Sequence, residues 1–417
     1  QEKINADLSD TAFFGEISLD GKVNRVKGAL PLAIALRKAG VKKICVPREN
    51  AEEASVLEDI KILPVESLTE AVDYIKGREK IAIYKRKEKS RHYYYDEDFS
   101  QVKGQESMKR AAIIGAAGNH GMMMIGGPGC GKTMIARRMP TILPELTYEE
   151  KLEITGIYSV AGLLTEDDPI VSSRPFRSPH HTITAAGLVG GGTRPRPGEL
   201  SLAHRGVLFL DEFGEFSPRT IDAARQPVED GFVRLSRNME EIIFPSKTMV
   251  IAAANPCKCG YLWDERHPCS CTGKQIDSYR RKLCGPFSDR IDMHIRIFPV
   301  LAGSRFCGGE ALDCLSSADM RRQVERAGAV QRKRYEGTTF SCNGDLNEKG
   351  ISEFCVLKAD GRELLDSAYE KYGMTMRSYA KVLKISRTIA DLADSESIEC
   401  EHVAEALMYR ISDWDNK

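Results

Sequence analysis

Residues 126–133 read Gly-Gly-Pro-Gly-Cys-Gly-Lys-Thr, and the reading of that stretch decides the fold. Its four glycines let the main chain curl tightly enough for several N–H groups to converge on one anion, and the lysine adds a point charge. The run follows the apolar stretch Met122–Ile125 and precedes a helical pattern ending at Pro140, the strand–loop–helix order that a phosphate cradle requires. Gly126, Gly127, Pro128, Gly129, Cys130, Gly131 and Lys132 are therefore expected to hold the phosphates of ATP, and the Thr133 hydroxyl to ligate Mg2+. Cys130 reads as a small side chain tolerated in the loop rather than as a redox switch. A flexible glycine turn is the competing reading, and the flanking strand and helix count against it.

Downstream, Gly206-Val-Leu-Phe-Leu-Asp-Glu212 is an apolar strand that delivers two carboxylates at its end, where α/β sheets place their ligands. This is the Walker B form. Asp211 is expected to hold magnesium with Thr133, and Glu212 to polarise the water that attacks the terminal phosphate. A third apolar run, Met249–Ala254, ends in Asn255. An amide there, on a strand lying between the first two, would position the same water in a sensor 1 role; a cap on the Asn-Pro turn is the alternative.

At roughly 150 residues per domain, 417 residues predict two or three domains. Sixty basic and sixty acidic residues balance, so a polyanion would have to be held by a local basic surface. No apolar run approaches the ~18 residues of a membrane span. Of twelve cysteines, eight are scattered and four form two tight pairs, which points to a reducing, cytoplasmic setting. The chain opens on Gln1 without a signal pattern, so further sequence upstream is expected.

Residues 1–84 alternate strand-like runs (12–19, 43–46, 81–84) with helical patterns (28–39, 68–75), as in a small α/β domain. Residues 85–98 break every period and read as a linker. Strands and helices then alternate over 99–300, as in a parallel sheet flanked by helices, with an insert at 156–205 and a Cys-rich loop at 257–271. From 301 to 417 the pattern is mainly helical, with one stripe through Tyr379, Val382, Leu383, Ser386, Ala390 and Ala393.

Several longer blocks carry a resemblance: Arg174–Thr182 (RPFRSPHHT), Gly190–His204 (GGGTRPRPGELSLAH), Asn255–Tyr261 (NPCKCGY) and Asp289–Asp292 (DRID). In this order they resemble the magnesium-chelatase-like AAA+ ATPases of the ComM/YifB group, over nearly the whole chain. The resemblance implies an AAA+ P-loop sheet preceded by a partial Lon-protease-like α/β domain and followed by an α-helical lid. It implies that Arg290 is an arginine finger reaching the ATP of a neighbouring subunit, and that Arg377 is the sensor 2 arginine opening a lid helix. The bland reading of each is a surface arginine. An arginine acting in trans implies a ring, a homo-hexamer. Gly15–Val23, Gly28–Gly40 and Val46–Asn50 resemble the second half of the Lon-like domain, but Leu30 and Leu32 stand near the place of that domain's catalytic lysine. Without that base no nucleophile is activated, so peptidase activity is not expected and the domain reads as a scaffold or partner-binding element.

Cys257-Lys-Cys259 and Cys269-Ser-Cys271 lie directly after Asn255 and offer four thiolates for one tetrahedral Zn2+, with His267 as a substitute ligand. Spacing inside each pair is tighter than in ordinary zinc fingers, and four reduced thiols in a surface loop are the alternative. The insert carries Arg174, Arg177, His180, His181, Arg194 and Arg196 among small residues. These are candidates for sequence-indifferent contacts to DNA phosphates in a ring's pore, or else they brace the subunit interface or the nucleotide. The leading expectation, from the resemblance, is a ring-forming DNA motor, a helicase or branch-migration translocase in recombination or natural transformation, working with other recombination proteins. The rival is a remodelling or chelatase-type ATPase subunit acting on a protein partner without DNA. A purely regulatory ATP-binding scaffold is weaker, since Glu212, Asn255 and Arg290 are all present.

Overall fold

The computed structural model describes residues 8–86, 96–165, 168–193, 195–237, 240–298 and 315–410. Most of the expected linker, the domain boundary at 300 and Arg194 lie outside the described residues. The chain divides into two compact units. One takes residues 1–94, 146–173 and 192–197, the other 95–145, 174–191 and 198–417. Of residues 156–205, 156–173 and 192–197 fall in the first unit and 174–191 and 198–205 in the second.

The first unit contains a three-stranded parallel sheet in which Lys43–Pro47 lies between Thr11–Phe13 and Lys61–Val65. Its strands bury Ile44, Val46 and Ile62 against Leu30 and Ala33 of the helix Ala29–Lys38, together with Leu152 of the helix Tyr148–Ala161. Of the two leucines singled out in the helix Ala29–Lys38, Leu30 is fully buried and serves as core, whereas Leu32 is exposed. The Glu53 carboxylate, also buried, accepts from Leu30 N at 3.0 Å in the first turn of that helix, where a negative charge suits the helix dipole. Two strand expectations change, and one strand is added. The 12–19 run splits into Thr11–Phe13 and Glu16–Ile17, the latter pairing antiparallel with Val23–Asn24. Residues 81–84 form no strand, although Tyr84 N donates to Ile62 O at 2.8 Å. Lys61–Val65 is a strand despite Pro64, because an edge strand tolerates a residue with no N–H.

The second unit is built on a five-stranded parallel sheet ordered Met293–Ile297, Met122–Gly126, Met249–Ala254, Val207–Leu210, Phe176–Arg177. This is the AAA+ P-loop arrangement, and it sets Met249–Ala254 between the two Walker strands. The central strands are buried on both faces, hence their unbroken apolar runs. The first strand ends on Gly126, where a side chain has no room: a Cβ there would lie 2.5 Å from Ile297 O on the neighbouring strand. A hairpin that the sequence reading passed over, Phe232–Arg237 with Glu240–Pro245, lies between the second Walker strand and the sensor strand. Helices Ser317–Arg334, Ala359–Tyr372, Met376–Leu392 and Cys400–Met408 follow, and they share one core with the sheet and the helix Glu106–Gly118. In the expected stripe Val382, Leu383, Ser386 and Ala390 are buried, while Ala393 is exposed just beyond the helix end. Among the described residues, no helix is long and apolar enough to cross a membrane.

Candidate functional site

Parallel strands end on the same side of a sheet, so Gly126, Leu210 and Ala254 deliver the P-loop, Asp211 and Asn255 to one edge. The helix Lys132–Ile142 starts after Gly131, whose φ of 86° turns the loop into the helix. Lys132 Nζ donates to Gly126 O at 2.6 Å, to Gly127 O at 2.9 Å and to Asn255 Oδ1 at 3.1 Å. Its pKa is lowered by burial, partly offset by neighbours that include Asp211. Thr133 Oγ1 donates to Asp211 Oδ2 at 2.9 Å, and Asp211 Oδ1 accepts from Glu212 N at 2.9 Å. These residues fit a magnesium–triphosphate. A hydroxyl and a carboxylate converge on one point, an ammonium stands beside them, and a Cβ at Gly129 would meet nothing within 4 Å, so the loop is open toward solvent.

Glu212 has φ 51°, a left-handed backbone uncommon for a residue with a side chain, and it opens the turn Phe213–Glu215. Its Oε2 lies 3.1 Å from His181 Nδ1. The His181 ring lies tilted against His180 at 4.1 Å between centroids and meets Phe216 edge-on. A residue read from sequence as a DNA contact thus stands on the candidate base. No signal in the spacing links positions 181 and 212; only the adjacency of the strands Phe176–Arg177 and Val207–Leu210 does.

Two other DNA candidates have their charges engaged inside the protein. The Arg177 guanidinium grips Glu199 with both arms, Nε to Oε2 at 2.6 Å and Nη2 to Oε1 at 2.8 Å. Arg174 donates to the main-chain oxygens of Pro144, Arg205 and Glu145. Each of these guanidinium groups is held by contacts within the chain. His180 Nδ1 lies 2.9 Å from Thr182 Oγ1. Arg196 is exposed.

Arg290 and Arg377 are far from the P-loop edge. Strand Met293–Ile297 runs in register from Met122 to Gly126, so residues before Met293 sit at the opposite end of the sheet, about 16 Å away for five residues. There Arg290 Nε lies 3.0 Å from Glu229 Oε2 and Arg377 Nη2 donates to Glu229 Oε1 at 2.8 Å. The two arginines that the sequence reading placed apart, one in a neighbour's site and one on the lid, meet on a single carboxylate. They line a cleft of about 1140 Å³ that includes no P-loop residue. Residues flanking Arg290 pin it. Asp289 faces Arg410 at 3.3 Å, and Asp292 takes Lys381 at 3.0 Å and His120 at 3.1 Å. Burial works against the Asp292 charge, but Lys381 and the hydrogen bond from His120 hold its carboxyl below the usual range.

The sulfurs of Cys257, Cys259, Cys269 and Cys271 all lie within 4.8 Å of one another. Burial pushes the Cys257 thiol up to about 12, whereas the Tyr261 N–H directed at Cys259 brings that thiol down to about 5. His267, the substitute ligand, instead faces Asp264 at 3.3 Å.

The family pattern described as magnesium chelatase, subunit ChlI, matches residues 98–304, its C-terminal counterpart matches 315–410, and a pattern for subunit ChlI of Mg-chelatase matches 1–50. The chain is 36% identical over 409 residues to competence protein ComM of Haemophilus influenzae, covering 97% of this chain and 78% of that protein. It is also 36% identical over 410 residues to the YifB protein of Escherichia coli, with 97% and 78% covered. Similarity to the magnesium-chelatase subunit ChlI of Synechocystis is 23% over 181 residues, with 38% of this chain and 51% of that protein covered.

Proposed function

Because this chain belongs to the magnesium-chelatase-like AAA+ ATPases, in their ComM/YifB group, we propose that it is a ring-forming, ATP-driven motor that moves along DNA in the cytoplasm. Its work is branch migration or strand displacement during recombination or natural transformation, alongside other recombination proteins.

The hydrolytic half of this reading is supported by the Lys132, Thr133, Asp211 and Asn255 contacts at one sheet edge. Main-chain N–H groups of the P-loop bind the phosphates, and Lys132 exchanges its carbonyl partners for phosphate oxygens. Thr133 and Asp211 hold the magnesium ion, which when bound neutralises charge on the outer phosphates. Glu212 accepts the proton of the attacking water and Asn255 fixes that water's orientation. The observation that carries the ring is the seat of Arg290 and Arg377 at the far end of the sheet from their own P-loop. An arginine so placed serves a triphosphate only across a subunit boundary, where it neutralises charge developing on the transferred phosphate. A homo-hexamer supplies that geometry with one site per boundary. The amino-terminal unit reads as a scaffold or partner-binding element without peptidase activity, because leucines, buried Leu30 and exposed Leu32, stand near the place of the Lon-type lysine.

DNA as the substrate is supported by the relationship to ComM, by exposed Arg196 and by exposed Arg234 on the hairpin. The internal engagement of Arg174 and Arg177 favours the second reading, a remodelling ATPase acting on a protein partner. ATPase rates with and without single-stranded and branched DNA, at two salt concentrations, separate the two. Stimulation that fades with salt supports the motor; a DNA-indifferent rate supports the protein partner.

A further inference from the structure

The four cysteines lie outside the machinery assigned to hydrolysis, yet their loop is built against it. Cys257 follows Asn255 by two residues, and Cys259 precedes Gly260. Sulfur separations are 3.4 Å for Cys257–Cys259, 3.7 Å for Cys257–Cys269 and 3.5 Å for Cys259–Cys269. A metal bonded to four thiolates at about 2.3 Å has sulfur–sulfur edges of about 3.8 Å, so the pocket has the size of a tetrahedral site. A four-thiolate set suits a soft d10 ion, Zn2+, and leaves no position open for water or substrate.

Gly260 makes the connection to the phosphate loop. A Cβ on Gly127 would stand 3.3 Å from Gly260 O. A Cβ on Gly260 would stand 2.9 Å from Pro128 Cδ and 3.9 Å from Asn255 Cγ, and its φ of 88° disfavours any side chain. The main chain between the two cysteine pairs therefore rests directly on the P-loop and on the residue that hydrogen-bonds Lys132. The helix Gly273–Leu283, which follows the second pair, adds a further contact. A Cβ on Gly214 would lie 2.7 Å from the Tyr279 hydroxyl, two residues beyond Glu212.

We infer that the four thiolates form a zinc clamp whose loop holds the P-loop, Asn255 and the turn after Glu212 in their nucleotide-binding arrangement, so that metal occupancy and nucleotide affinity are linked. The inference rests on the assignment of residues 126–133 as the nucleotide site. The clamp acts through position alone, since its coordination is closed. Linkage is reciprocal: whatever factor the metal adds to nucleotide affinity, nucleotide adds to metal retention.

The test uses the full chain, zinc release by a mercurial read with a chromogenic chelator, and titration with a fluorescent ADP analogue. One zinc per chain is expected. Stripping it weakens analogue binding tenfold or more, and saturating ADP slows zinc loss to a chelator. The double variant Cys257→Ser/Cys269→Ser loses both properties, whereas the single variant Cys271→His keeps a full ligand set and retains them. Gly260→Ala separates clamp from fold: it retains zinc and the wild-type circular dichroism but binds the analogue at least fivefold more weakly. Absence of stoichiometric metal overturns the site. Bound zinc whose removal leaves analogue affinity within twofold, or a Gly260→Ala variant with wild-type affinity, overturns the linkage. Unweakened binding by Lys132→Ala overturns instead the nucleotide assignment beneath it.

Discussion

His181 Nδ1 stands 3.1 Å from Glu212 Oε2. The imidazole is itself fixed by the rings of His180 and Phe216, so it offers the carboxylate one defined partner. Glu212 otherwise projects from a turn with a left-handed backbone, and more than half of its side-chain surface is open to solvent. A general base that wanders loses effective concentration at the attacking water. His181→Ala is expected to lower kcat about tenfold with KM nearly unchanged, against a loss of a hundredfold or more for Glu212→Gln. Steady-state ATPase kinetics decide it. A higher kcat in His181→Ala would mean that the pair withholds the base rather than aims it.

Arg290 and Arg377 share Glu229 and cannot reach their own P-loop, so defects at the two places should complement. Lys132→Ala removes a subunit's own nucleotide site but leaves its arginines intact. Arg290→Ala does the reverse. Each variant alone is expected to fall to a few per cent of wild-type ATPase, and an equimolar mixture to recover a measurable fraction, because some boundaries then join an intact P-loop to an intact arginine. Activity of the mixture no greater than the mean of the two would remove the role of Arg290 across the subunit boundary.

The parts legible in sequence were those whose chemistry is local. Gly126–Thr133 announces itself because a phosphate cradle needs contiguous main chain, and the fully buried strands Met122–Gly126 and Met249–Ala254 are contiguous apolar runs for the same reason. Relationships made by packing were not legible. Glu199 as the partner of Arg177, Glu229 as the joint partner of Arg290 and Arg377, and Glu212 as the partner of His181 all join residues more than twenty positions apart. An arginine on Glu199 and an arginine on a phosphate are the same letter in the sequence. Lys61–Val65 was missed because Pro64 argues against a strand unless its edge position is known.

His294 carries a pH prediction. Burial, then the neighbouring charge of Arg410, lower its pKa from 6.5 to about 3, with a smaller push from Lys381 and against the opposing Ser288 backbone hydrogen bond and Asp292. The folded protein therefore keeps the ring neutral, with Nε2 3.3 Å from Ser288 O. The unfolded chain binds a proton near pH 6.5, so stability is full above that value and is lost as pH falls toward 3, by up to a factor of ten in the folding constant per pH unit. Asp292 does not obscure this window: its carboxyl, lowered further from 3.8 in the folded state, is ionised in both states above about pH 5. His294→Gln should be less stable at pH 7.5 yet lose less between pH 7 and pH 5, as measured by urea midpoints. Parallel curves for the two proteins would remove His294 from the account.

Arginines of the segment between the Walker motifs, and Arg234 of the hairpin after it, should divide by what holds them. Arg177 is engaged at both arms by Glu199, so Arg177→Ala leaves a half-buried carboxylate unpaired and is expected to cost about 1–3 kcal/mol of stability. Its effect on DNA affinity should follow only from that loss. Arg196 is exposed, as is Arg234, which packs over the Phe232 ring and pairs with Glu241 at 3.2 Å near the hairpin surface. Surface pairs of that kind contribute little to stability. Arg196→Ala and Arg234→Ala should therefore leave the melting temperature unchanged while each reduces the slope of log affinity against log salt by about 0.7 on single-stranded DNA, the amount for one phosphate contact. Fluorescence anisotropy with a labelled oligonucleotide at several salt concentrations, alongside thermal melts, distinguishes the classes. A changed salt slope for a fully stable Arg177→Ala would return that residue to the DNA surface; unchanged slopes for both exposed arginines would leave the motor without the phosphate contacts assigned to it.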